Sequence, residues 1–167
     1  MAAKKSNAKT LAPKGSPNEA PPKVHVKYKV PEDFDPTIYQ TFYESPIALL
    51  SSSKQGLDAK AALDFIHLSG FSSDEFQYTF KTTVKTIQNY FAGDLKLDAA
   101  LSEKLLKSFS LFEKGISVFG SAKEFQNWLY VPSYGLGNQI PFELMDTITG
   151  INLIEEELIR IEYGDLA

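Results

Sequence analysis

Residues 97–120 read LDAALSEKLLKSFSLFEKGISVFG, and this stretch decides the fold. Leu101, Leu105, Phe109, Phe112, Ile116 and Phe119 step by four, four, three, four and three, which places them on one stripe of an α-helix. A strand would need alternation at period two. Gly120 follows the stripe and is the residue type that most readily takes the left-handed conformation that ends a helix. A long helix with one apolar face must be covered, and the flanking sequence supplies more of the same period.

Toward the C-terminus, Ser121 and Glu124 have capping-box spacing and predict a helix through Tyr130. Trp128, after Phe125 on that helix, is expected to anchor this part of the chain with a fully packed ring. VPSYGLGNQI (residues 131–140) is a Pro/Gly-rich loop, and Pro141 suits the first turn of a short helix to Met145. Ile151, Ile154, Leu158 and Ile161 line a terminal helix that Gly164 breaks. Glu155-Glu156-Glu157 within it reads as a solvated charge run.

Toward the N-terminus, Leu57, Ala61, Ala62, Phe65 and Ile66 keep a helical period that Gly70 closes. Ser72 and Glu75 form a capping box, with Phe71 and Phe76 at hydrophobic-staple positions, so a helix is expected over residues 73–80. After a break at Lys81 and Thr82, Thr83 caps a third helix through Phe91 that stops at Gly93. Two short helices joined by a tight break describe a helix-turn-helix. Phe76, Phe80, Val84, Ile87 and Phe91 would be core. Thr82, Thr83, Lys85, Thr86, Gln88 and Asn89 would face outward as DNA-contacting candidates, since Gln and Asn can each read adenine bidentately. Residues 56–98 nevertheless carry four lysines against six acids, a poor endowment for phosphate contacts, and Lys81 stands where a glycine is usual in the turn.

Residues 31–56 read as a linker with a short helix lined by Phe34, Ile38 and Phe42. Residues 1–23 are rich in Lys, Ala, Pro and Ser with little to bury and are expected to be disordered. Val24, Val26, Tyr28 and Val30 alternate with His25, Lys27 and Lys29, which predicts a short strand needing an outside partner or an extended arm. The expectation is therefore an all-α chain. A helix-turn-helix domain over 57–98 is followed by a small helical domain over 99–167 and preceded by the linker (31–56) and the disordered or extended arm (1–30).

Charge divides along the same line. Residues 1–29 hold seven lysines and one acid, a balance of +6, and the rest holds ten basic residues and twenty acids, a balance of −10. The chain has no cysteine and a single arginine, Arg160. No apolar run approaches the about 18 residues of a membrane span, and the lysine-bearing N-terminus has no apolar core like that of a secretory signal. A cytoplasmic protein without membrane contact is expected. His67 ends an apolar helical face and His25 lies far from it, which makes a poor metal site. Gly135-Leu136-Gly137 lacks the preceding strand and third glycine of a dinucleotide loop. No acid, base and nucleophile share catalytic spacing, so neither an enzyme nor a cofactor, metal or small-molecule substrate is expected.

From Leu97 to Ala167 the chain resembles the toxin-binding domain of the Xre/MbcA/ParS-type antitoxins. The matching segments are LDAALSEKLLKSF, Val118-Phe119-Gly120, Trp128-Leu129 with Pro132, Leu136-Gly137, Pro141-Phe142-Glu143-Leu144, Thr147, Gly150, and Arg160-Ile161-Glu162-Tyr163-Gly164. The resemblance implies a homodimeric antitoxin of a type II toxin–antitoxin system. Its C-terminal domain would cover the active-site cleft of a RES-type toxin, which attacks NAD or transfers ADP-ribose, and its N-terminal helix-turn-helix would bind operator DNA. Residues 99–167 hold five basic residues against ten acids, which suits an electropositive cleft. The face of the terminal helix opposite its apolar stripe and the tail beyond it are the expected toxin contacts: Glu155, Glu156, Arg160, Glu162, Tyr163, Gly164, Asp165 and Ala167. The alternative is a helix-turn-helix transcriptional regulator whose C-terminal domain serves dimerisation or sensing, with no toxin partner.

Overall fold

The computed structural model describes residues 28–164. The basic segment, most of the anticipated strand, and Asp165 and Ala167 lie outside the described residues. Tyr28, Lys29 and Val30 are in no strand, and among the described residues the architecture is all-α.

The long apolar stripe forms α5 (Ala99–Phe119), capped by Asp98, whose side chain accepts from the Leu101 N–H, and closed by Gly120 at φ 89°. Helices α1 (Pro46–Gln55), α2 (Ala59–Ser69), α3 (Ser73–Phe80), α6 (Ala122–Leu129) and α8 (Ile148–Glu162) all touch it. Packing the other helices around one helix covers more than its apolar stripe, so Ser102, Ser108 and Gly115 are buried along with Leu105, Phe109 and Phe112. Gly115 has a specific reason to lack a side chain: a Cβ there would lie 2.3 Å from the Phe125 ring.

Aromatic rings fill the core. Fully buried Phe65 on α2 meets Phe71, Phe80, Phe109 and Phe112 edge to face, with ring centroids 6.0, 5.4, 5.2 and 5.2 Å away. Edge-to-face geometry brings each positive ring edge to a negative face. Phe71, at a staple position beside α3, turns its ring onto Phe65, Phe112 and Phe142. Trp128 is only half-buried, and the fully buried residues of α6 are Phe125 and Leu129. The expected packed tryptophan is thus corrected: Phe125 occupies the space beside Gly115, and Trp128 stacks outside it, centroids 6.0 Å apart.

The segment before α1 also differs from its expected pattern. Pro36–Phe42 is a 3-10 helix, in which residues three apart align, so the four-residue stripe Phe34–Ile38–Phe42 cannot form. Ile38 is 53% and Phe42 39% exposed, while Tyr39 is buried. Helix α1, where the sequence shows no clear stripe, is set by its start: Ser45 accepts from the Ala48 N–H and Pro46 opens the first turn.

Helices α3 and α4 (Val84–Ala92) are joined by Lys81-Thr82-Thr83. Both bonds of the Ser72/Glu75 capping box are made, and the Thr83 hydroxyl accepts from the Thr86 N–H. Lys81 adopts the left-handed conformation, φ 56°, that a glycine would take without cost. Its ammonium lies 4.6 Å from the Tyr78 ring centroid and 3.5 Å from Asp146 Oδ2. Tyr78 donates to the Glu143 carbonyl at 2.9 Å, and Lys104 on α5 donates to the Thr79 and Asp146 carbonyls. The turn is thereby tied to α7 (Pro141–Leu144) and the residues after it.

Burial holds the Lys104 pKa down at about 8 from its ordinary 10.5; Asp146 opposes the shift and Lys81 adds to it. The unfolded chain therefore binds this proton more tightly than the folded one, and stability rises with pH as the lysine discharges. Comparing unfolding free energies of the wild type and Lys104→Met should show the balance moving toward the wild type between about pH 8 and 10.5. A difference that stays flat across this range would mean the folded-state pKa is not depressed.

Candidate partner-binding site

The loop after α6 builds an open cleft of about 750 Å³. An isolated antiparallel bridge between Ser133 and Gln139 pinches the loop at its base. Inside the pinch lies a 3-10 turn, Tyr134–Leu136, followed by Gly137 and Asn138, both at positive φ. Loop residues form one wall and α8 the other, through Glu157, Arg160 and Ile161, with Trp128 at the α6 end.

A buried carboxylate ties the walls together. Glu157 is 5% exposed, accepts from the Ser133 hydroxyl at 2.8 Å and pairs with Arg160, whose Nε lies 2.9 Å and Nη2 2.8 Å from Oε2. Nη2 of Arg160 also donates to the Gly135 carbonyl at 3.2 Å. Gly135 must be glycine for this closure, since a Cβ would stand 2.0 Å from Glu157 Oε2. The reading of Glu155-Glu156-Glu157 as a solvated run is therefore corrected for Glu157. Its position three residues after Ile154 and seven after Gly150 puts it beside the buried stripe, and tertiary contact with the loop completes its burial.

This arrangement holds Arg160 in one orientation while leaving its side chain 45% exposed. Among the described residues no hydrogen bond or ion pair engages Nη1, so two N–H donors remain on a pre-set guanidinium plane. Such a plane suits a carboxylate or a carbonyl pair from a partner. Around it stand partly exposed aromatic surfaces: Trp128, stacked on Phe125 and tilted against Phe119, and Tyr134, 77% exposed.

The residues expected to touch a partner are brought together only in part. Arg160 lines the cleft. Glu156 is exposed and Glu155 half-buried on a different side of α8, where Glu155 borders a second hollow with Glu113 and Lys114. Glu162 is paired with Lys114 on α5. Tyr163, 80% exposed, caps the helix and is followed by Gly164 at φ 73°. Ile161, expected in the core, is half-buried and forms cleft wall. Sequence reasoning missed Trp128, Ser133, Tyr134, Gly135 and Glu157 as cleft residues. The one signal along the chain was the spacing of Glu157 three residues before the only arginine.

On the opposite pair of helices, Phe76, Phe80 and Ile87 are buried and Val84 and Phe91 half-buried. Thr83, Lys85, Gln88 and Asn89 are exposed, and Thr82 and Thr86 half-buried. Thr82 and Thr86 border a hollow of about 380 Å³ between α4 and the start of α5. No helix of the described residues is long and apolar enough to cross a membrane, and none of their His, Asp or Glu side chains cluster as a metal site would require.

Residues 114–164 match the family described as the antitoxin Xre/MbcA/ParS C-terminal toxin-binding domain. The match runs from the last part of α5 through α8 and contains every residue of the cleft. No curated protein matches the chain.

Proposed function

We propose that this chain, whose C-terminal segment matches an antitoxin's toxin-binding domain, binds a cognate RES-type toxin through the cleft and the end of α8 and so silences it. The observation that carries the reading is the held guanidinium of Arg160 on an aromatic-rimmed cleft that lies wholly inside the matched segment. Tyr, Trp and Arg are the residue types that dominate interface hot spots, and here all three border one concavity. The excess of acids over residues 99–167 fits a partner that binds a dinucleotide phosphate and is electropositive there. Glu156, Tyr163, Gly164, Asp165 and Ala167 extend the contact beyond the cleft, and Glu155 and Glu162 belong to its edge. Two copies of the chain associate as a homodimer in this reading.

The exposed side chains of α4 favour a second role. Lys85, Gln88 and Asn89, with Thr82, Thr83 and Thr86 around the turn, would enter a major groove of operator DNA. The rival reading, a regulator without a toxin, shares this role and differs only in lacking the first.

Co-expression with a RES-type toxin, sought first among the genes beside this one, tests the reading. The full chain should protect cells and co-purify with the toxin. A chain ending at Glu162, checked by circular dichroism to fold, should lose protection in part, because Tyr163 and the residues after it are removed. Full protection by the shortened chain would take the tail out of the mechanism, and absence of any complex with the full chain would leave the toxin-free regulator as the better account.

A further inference from the structure

Helix α1 packs on α5 and on the 3-10 turn before it. On its inner side Leu49 meets the core and Ser53 is buried, its hydroxyl donating to the Leu49 carbonyl at 2.6 Å. On its outer side Ile47, Leu50, Ser51 and Lys54 are spaced by three, one and three, which puts them on one stripe of the helix, and all four are exposed. Ile47, 75% exposed, is the most exposed large aliphatic side chain among the described residues, and Leu50 is 47% exposed. Phe42 of the preceding turn is exposed at the edge of the stripe, where it borders Ser52 and Gln55.

An apolar stripe on the outer side of a helix whose inner side is already buried calls for a cover, and the charges around it say which. From Ser45 to Leu57 the chain holds no acid and one base, Lys54, while residues 30–167 carry a balance of −10. A second copy, repelled by acids over much of the body, meets no like carboxylate on this stripe. Glu44 stands just before the helix and Lys54 in its last turn; both are exposed, and among the described residues neither forms an ion pair. We infer that α1 pairs antiparallel with α1 of a second copy, about a two-fold axis between Leu50 and Ser51. Leu50 of each copy then meets Ser51 of the other, and Ile47 meets the apolar stem of Lys54. Each Lys54 comes within about 5 Å, measured along the helix axis, of Glu44 on the other copy, a gap that a lysine side chain spans. This rests on the homodimer part of the reading above and not on its toxin or DNA parts, and α1 lies outside the matched residues 114–164. A pair of ten-residue helices is small beside the about 800 Å² per copy of a standard interface, so the dimer should be micromolar and fall apart on dilution.

The test is sedimentation velocity of the full chain over a wide dilution series, with thermal melts to show that each variant folds. Leu50→Glu should weaken association at least about tenfold, because the carboxylates of the two copies would face each other across the axis. Ile47→Gln, at a site too exposed to endanger the fold, should weaken it several-fold. Glu44→Lys and Lys54→Glu should each weaken it several-fold, and the two together should restore the wild-type affinity, as a crossed ion pair requires. The chain has no cysteine, so Ser51→Cys gives one thiol per copy. A short bis-maleimide should join two copies through that thiol and should not do so through Lys123→Cys, which is exposed on α6. Unchanged association of Leu50→Glu would overturn the inference and leave a homodimer built on another surface. A wild type that stays monomeric at every concentration would remove the homodimer and this inference together. Loss of the toxin complex in Leu50→Glu with association preserved would give the face to the toxin, and a monomer whose Ser51→Cys thiol resists maleimide would show the face covered by its own chain; either result equally overturns the inference.

Discussion

Replacing Phe65 by alanine should lower the unfolding free energy by roughly 3–5 kcal/mol, the upper end for a single core truncation. Phe65 is fully buried and is the one ring in edge contact with four others, from α2's own end, α3 and two turns of α5. Its removal deletes transfer energy and several aromatic pairs at once, and the surrounding rings cannot all collapse into one hole. Domains of this size are stable by about 5–15 kcal/mol, so the variant would lose a large fraction of its margin. Chemical denaturation of purified protein measures the effect. A loss below about 1 kcal/mol would mean the ring cluster is loosely packed, and the central place of α5 would need another explanation.

Arg160→Ala should weaken toxin binding by at least about 2 kcal/mol, on the order of 30-fold, as expected for a desolvated hot-spot arginine. The same change strands Glu157, which would keep only the Ser133 hydroxyl as partner, so a stability loss of about 1–3 kcal/mol should accompany it. Arg160→Lys separates the two effects. A lysine can still neutralise Glu157 but cannot offer a planar pair of donors, so stability should recover more than affinity does. Calorimetric titration of toxin into each variant, set beside thermal melts, reads both. If Arg160→Lys binds as tightly as the wild type, the guanidinium plane is not what the partner recognises, and the cleft's role falls to its aromatic rim.

Most of what is local in this chain is legible in its sequence alone. The stripe of α5, the Gly120 stop, the Ser72/Glu75 and Thr83 caps and Pro141 at the start of α7 are each decided by a few neighbouring residues. Their physics is helix periodicity and the need to satisfy the free N–H groups of a first turn. The same physics places Phe76, Phe80 and Ile87 inward and Lys85, Gln88 and Asn89 outward. The resemblance over the C-terminal residues also rests on local order and spacing, and the matched segment 114–164 lies within it.

Tertiary structure decided the rest, wherever a residue's fate depends on a partner distant in sequence. Tyr39 is buried and Ile38 is not because a 3-10 turn aligns residues three apart and Asp64, twenty-five residues on, receives the phenol. Trp128 is left at a cleft edge because Gly115 makes room for Phe125 instead. Glu157 is buried because the loop closes over it with Ser133 and a side-chain-free Gly135, and only that closure gives Arg160 its orientation. Helical period fixes which face a residue shares with its neighbours along the chain. Which groups meet across the fold is fixed by the pairing of buried polar atoms that cannot be left unsatisfied, and no pattern along one helix encodes that.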